Sequence, residues 1–300
     1  MSVRLILDTN VFYDLGAGRL SPTDVRTDPT EQLFYSPIGA LEIAGKWASQ
    51  SFTERRAAAA AIIASAATEL PDTDTFLTRD LFGFTPSFPQ FSFAEGVKAM
   101  AKSATMAELM SGVPDVSAQV VRSVSVAAIG QWRQQVEGDW VKDHVALQAT
   151  EIPAFARWYN PDPTQRSGAV PKLKGTRKAE FLKTINSPGF STAMIVALQT
   201  RALLSAVRDA ALTPTRAMVD RFVAAIESTA CFRGCYREYV ARLITGGLLP
   251  QENDSGDIEL FLYSIDDDHI VVTSDGRWKS IAAAAGFGQR VRTVPAPAST

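Results

Sequence analysis

Four acidic residues stand where a carboxylate can do chemistry. Asp8 closes the apolar run Leu5-Ile6-Leu7, and Asp275 follows another, Ile270-Val271-Val272-Thr273-Ser274. Glu42 falls about one turn into a stretch opened by Ser36-Pro37, and Asp257 stands just before the apolar segment Ile258 to Ile265. Short apolar runs of this kind read as parallel strands covered on both faces, which removes the usual alternation. In open α/β sheets, ligands bind outside the carboxyl ends of such strands. Several carboxylates gathered there repel each other unless a cation sits among them. Hard oxygen donors suit Mg²⁺ or Mn²⁺. One or two such ions can activate a water and stabilise in-line attack on a phosphate.

Each acid also has an ordinary explanation. Asp8 suits a helix N-cap, Glu42 a solvated surface, and capping accounts for one of Asp254 and Asp257. Capping does not require both of that last pair, which lie three apart and share a helical face. The stronger argument is that two strand-end acids come from opposite ends of the chain. Parallel strands flanked by helices would bring them to one edge of one sheet.

The elements that must position these acids follow from the pattern. Leu5–Leu7 and Leu33–Tyr35 read as strands, with Ser36 capping a helix and Pro37 at its first position. Thr53 to Leu70 reads as one Ala-rich helix, and Thr75 to Leu77 as a third strand. Residues 93 to 212 read as helical, with long patterns over Phe93 to Met110 and Val116 to Gln148 and a break near Glu137-Gly138-Asp139-Trp140. Pro153 to Pro171 reads as irregular. A helix from about Thr213 to Thr245 ends at Gly246-Gly247. His269 to Thr273 and Arg290 to Val294 are the last strands, with a helix over Trp278 to Ala285 between them. No GxGxxG or P-loop follows either strand-end acid, which argues against a dinucleotide or NTP cradle.

Composition narrows the class. The chain has 300 residues, of which 46% are hydrophobic and 21% charged, as in soluble globular proteins. Cys231 and Cys235 are read as reduced core thiols of a cytoplasmic protein, and a zinc site is poorly supplied by two cysteines and two histidines. No signal peptide is expected before the first strand, and the run Ala57 to Ala67 is too short to span a membrane. A formal net charge of -2 gives no global pull toward nucleic acid. Residues 157 to 183 nevertheless hold seven cations against two acids. Arg157, Lys172, Lys174, Arg177 and Lys178, with Trp158 beside them, suit phosphates and a stacked base of RNA. A solvated loop explains the same stretch.

The stretch around Leu7-Asp8-Thr9-Asn10-Val11 resembles the opening motif of PIN-domain proteins. This family of metal-dependent nucleases includes the ribonuclease toxins of toxin–antitoxin pairs. Ile38 to Ala44, with Glu42, is similar to its second acidic motif. Asp257 to Asp275 is similar to the part that carries its third and fourth acids, and is the most specific match in spacing and pattern. The resemblance covers roughly residues 3 to 80 and 213 to 300. It implies a three-layer α/β/α sandwich around a parallel sheet of about five strands. It also implies a two-metal site on Asp8, Glu42, Asp257 and Asp275, and RNA cleavage. Asn10 and Thr273 match the family's accessory polar positions, and Asp254 is expected to support the site. The division expected is a discontinuous nuclease core over 1–80 and 213–300, with 81–212 as a large helical insertion, where compact members are shorter. An antitoxin or other protein partner belongs to the same expectation. Two other readings compete: a nucleic-acid-binding or scaffold protein with a degenerate site, and a metal phosphohydrolase acting on nucleotides.

Overall fold

The strands assemble into one five-stranded sheet, every neighbouring pair parallel, in the order β3-β2-β1-β4-β5. The computed structural model describes residues 2–44, 51–86, 93–111, 135–206 and 216–295. Strand β1 is Arg4–Leu7, β2 is Gln32–Tyr35, β3 is Thr68–Glu69, β4 is His269–Thr273 and β5 is Val291–Thr293. Strand β1 is central, and Ile6 is aligned with Val271 and Leu7 with Val272 across the β1–β4 pair.

That register explains the unbroken apolar runs. Leu5, Leu7 and Val272 belong to one buried cluster, while Ile6, Val271 and Val291 belong to another. Alternate side chains point to opposite faces, and both faces are covered. The helices that precede β3, Thr9–Gly16, Pro37–Ala44 and Phe52–Ala64, contribute Phe12, Ile43 and Ala58 to the first cluster. Later helices, Ala230–Ala241, Asp254–Leu260 and Gly276–Ala284, contribute Tyr239, Ile258 and Trp278 to the second. The chain therefore crosses the sheet between β3 and β4. The strand order reverses between β1 and β4, and open α/β sheets bind ligands outside the carboxyl ends of the strands at such a point.

Described residues between 81 and 206 are packed into the same two clusters. Phe82, Phe155, Leu173, Leu198 and Ala202 join the Trp278 side, and Val97 and Met100 join the Phe12 side.

Several elements differ from the sequence expectation. The third strand is Thr68–Glu69; Thr75–Leu77 instead belongs to a helical turn continuing into a π-helix over Phe76–Leu81. Its Phe76 and Leu77 are buried, so their apolar run reflects packing rather than a strand. The Ala-rich helix ends at Ala64, and Ala66 at φ 53° turns the chain into β3. Residues 93–110 form two helices, Ala94–Lys102 and Met106–Ser111. Helix continues through Gly138, without the expected break, over residues 135–151. The expected helical residues 116–134 and 207–211 lie outside the described residues. Within the stretch expected to be irregular, Pro153–Trp158 forms a short helix. Cys231 and Cys235 are free and buried. Among the described residues, no helix is long and apolar enough to cross a membrane.

Candidate metal centre

Asp8 occupies the N-cap position of the Thr9–Gly16 helix, where the Thr9 and Asn10 amides favour its charged form. Its amide donates to Val272 O at 2.9 Å, which fixes it at the carboxyl edge between β1 and β4. Thr273 joins the two strand-end acids. Its hydroxyl donates to Asp8 Oδ2 at 2.8 Å and accepts from the Asp275 amide at 3.0 Å. Burial pushes the Asp8 carboxyl above its usual range; the Thr273 hydroxyl pulls it back and the charge of Asp275 adds to the rise.

Asp257 enters from the other side. The Asp254–Leu260 helix starts at Asp254, so both acids lie in its first turn. Burial raises the Asp257 carboxyl well above its ordinary value, and the charges of Asp8 and Glu42 raise it further. Its Oδ2 accepts from Trp278 Nε1 at 2.9 Å, which works in the opposite direction. Glu42 is half-buried on the helix that follows β2. The end of that helix is pinned by two side chains. Tyr13 Oη donates to Glu42 O at 3.3 Å, and Arg55 Nε donates to Ile43 O at 2.7 Å. Asp8 thus comes within electrostatic reach of Asp275, and Asp257 within reach of Asp8 and Glu42, beside the β1–β4 switch point.

Asp254 and Asp275 are differently engaged. Asp254 is fully buried, and its Oδ2 accepts from Tyr239 Oη at 2.8 Å and from the Gln251 amide at 2.9 Å. Asp275 caps the next helix, with Oδ1 accepting from the Arg277 amide at 2.7 Å. The Arg277 guanidinium joins all three acids on this side. It lies 2.7 Å from Asp254, 3.6 Å from Asp257 and 3.2 Å from Asp275. Burial opposes the Arg277 charge, but the three carboxylates outweigh burial and hold its pKa above the ordinary value.

The sequence reading passed over Arg277. A signal was present: a cation in the first turn of a helix has the wrong sign for the helix dipole and needs a nearby anion. Tyr13, Arg55 and Tyr239 were also missed, because each acts across long sequence separation.

The donor set fits a hard divalent cation, being carboxylate oxygen throughout, with two acids raised by burial and by their neighbours. It is not drawn into a closed shell. Among the described residues, the three whose ligand atoms all lie within 4.8 Å of one another are Asp266, Asp268 and His269. These sit at the start of β4, opposite the carboxyl ends of the strands, where His269 Nδ1 bonds Tyr263 O at 2.9 Å. Mg²⁺ commonly keeps several waters and takes only one or two protein carboxylates, so an open set of acids remains compatible with it.

Asn10 is exposed and lines, with Ser274, a cleft of about 520 Å³ that runs past Tyr13 and Arg19 to Thr53 and Ala57. Of the basic stretch, Arg157, Lys172, Lys174, Arg177 and Lys178 are exposed. Leu173 donates its amide to Ile244 O at 2.9 Å, which ties this stretch to the segment leading toward Asp254. Arg177 also donates to Glu151 O at 2.8 Å. Trp158 is committed to the fold: its indole nitrogen donates to Ser167 O at 2.8 Å and its ring packs on Phe155. No protein-family model, curated protein or solved structure matches this chain.

Proposed function

We propose that this chain is a Mg²⁺ or Mn²⁺-dependent endoribonuclease with a PIN-like core. The observation that supports it best is a linked set of acids beside the β1–β4 switch point: the charge of Asp275 raises Asp8, and those of Asp8 and Glu42 raise Asp257, on top of burial. A bound divalent ion would supply an activated water and a counter-charge for the scissile phosphate. Asp8, Glu42, Asp257 and Asp275 are the residues to hold it. Thr273 orients Asp8, and an orienting group of this kind commonly matters for affinity almost as much as a ligand. Asn10 faces the cleft in which an RNA strand would lie. Arg157, Lys172, Lys174 and Lys178 would attract its phosphates, with Arg177 partly engaged by the backbone. Trp158 is better suited to shaping this stretch than to stacking a base. A toxin-like role in the cytoplasm, restrained by an antitoxin or other protein, accords with the same reading.

A nucleic-acid-binding or scaffold protein is the competing reading. It is favoured by Arg277, which already neutralises acids of the centre. An RNA-degradation assay with and without Mn²⁺, beside Asp8→Asn, separates the two. Mn²⁺-dependent cleavage that Asp8→Asn abolishes is expected. RNA binding without cleavage would favour the scaffold reading.

A further inference from the structure

We infer that Arg277 takes the place of one of the two cations an acidic cluster of this kind could hold, so that the centre binds a single divalent ion. This rests on the metal-dependent reading above and narrows it.

Paired catalytic ions lie about 3.5–4 Å apart and are clamped by acids on both sides. Here the acids are divided. Asp254, Asp257 and Asp275 surround the Arg277 guanidinium at 2.7, 3.6 and 3.2 Å. The guanidinium is held from behind as well as in front. Asp254 has no exposure, and the Tyr239 hydroxyl and Gln251 amide take up its other oxygen. The Arg277 carbon also lies 4.9 Å from the centre of the Trp278 ring, and Trp278 bonds Asp257. Only 18% of the Arg277 side chain is exposed. It is therefore a built part of the centre rather than a surface arm resting on it.

Asp275 is spent in the same direction. One of its oxygens accepts the Arg277 amide and the other faces Arg277 Nε. A second ion on this side would have to displace a fixed positive charge and strip a buried carboxylate of its partner. Asp8 is not among the acids that pair with Arg277, and its carboxylate accepts from the Thr273 hydroxyl. One ion held by Asp8, Glu42 and Asp257 would not have to displace Arg277, so Asp275, named above among the four candidate ligands, serves the centre by holding Arg277 instead.

Calorimetric titration with Mn²⁺ tests the inference, with electron paramagnetic resonance of the bound ion as a second readout. One Mn²⁺ per wild-type chain is expected. Arg277→Gln should bind two, with a spin-coupled spectrum, because the space it opens is lined by three carboxylates. Arg277→Lys restores the charge and should return to one. If Arg277→Gln does not fold, Arg277→Met keeps the aliphatic packing on Trp278 and should also bind two. Two ions in the wild type, or one in folded Arg277→Gln or Arg277→Met, would overturn the inference while leaving a metal-dependent nuclease standing. No Mn²⁺ bound in any form would overturn both.

Discussion

At Asp257, burial and the charges of Asp8 and Glu42 oppose ionisation, while Trp278 and Arg277 favour it. The balance leaves its carboxyl raised, as burial leaves Asp8. In the absence of metal, the native state therefore holds protons that the unfolded chain releases. The stability this contributes is full below the ordinary carboxylate pKa, about 4, and is lost as pH rises through the raised values. Asp257→Asn, which can still accept from Trp278, should then leave melting nearly unchanged in acid. It should raise the melting temperature increasingly toward neutral pH, by about 1–2 °C for each kcal/mol relieved. A constant difference across that window would contradict the repulsion. Millimolar Mn²⁺ should stabilise the wild type at neutral pH and Asp257→Asn much less. Thr273→Val removes the hydroxyl between Asp8 and Asp275. It should weaken Mn²⁺ binding by about 10–100-fold while leaving the sheet folded, as calorimetry would show.

The helices hold these residues by close backbone approach and by side chains that reach their ends. A Cβ added at Gly16 would lie 2.4 Å from the Ala57 carbonyl carbon, so the Thr9–Gly16 and Phe52–Ala64 helices meet backbone to backbone there. Gly16→Ala must part them. It should cost about 1–3 kcal/mol, read as a lower urea midpoint with little change in slope. Arg55 does a different task. Its guanidinium donates to Ile43 O, in the last turn of the Pro37–Ala44 helix that carries Glu42. Arg55→Ala should cost about 1–3 kcal/mol and should lower Mn²⁺ affinity if Glu42 is a ligand. Lost stability with unchanged affinity would remove Glu42 from the metal shell. The period and capping signals showed the Glu42 helix in advance, including the Ser36 hydroxyl that accepts the Gly39 amide at 3.1 Å. They could not show what anchors its far end, because Tyr13 and Arg55 lie 29 and 12 residues from the carbonyls they bind.

Over the whole molecule, a formal net charge of -2 leaves long-range attraction of RNA to a local surface. The exposed cations between Arg157 and Lys178 are the densest such supply, and they are anchored through Leu173 to Ile244. Replacing Arg157, Lys174 and Lys178 together by Ala should weaken RNA binding. It should also flatten the log–log salt dependence by about 2 for a single strand contacted at all three. Mn²⁺ affinity should not change. An unaltered salt slope would reduce this surface to solvated helix and loop.

The sequence by itself determined what depends on short-range order. Apolar runs at Leu5–Leu7 and His269–Thr273 marked β1 and β4, because two covered faces leave no polar alternation. An acid beside each placed Asp8 and Asp275 at strand ends. Where several physical causes give one pattern, it misled. Phe76-Leu77 is apolar because it is buried in a π-helix, while β3 is a two-residue edge strand too short to leave a pattern. Tertiary structure alone decided what depends on pairs distant in sequence. It set β1 beside β4 and tied Asp8 to Asp275 through one hydroxyl. It also turned Arg277 inward onto Asp254, where burial strengthens both their attraction and the cost of parting them.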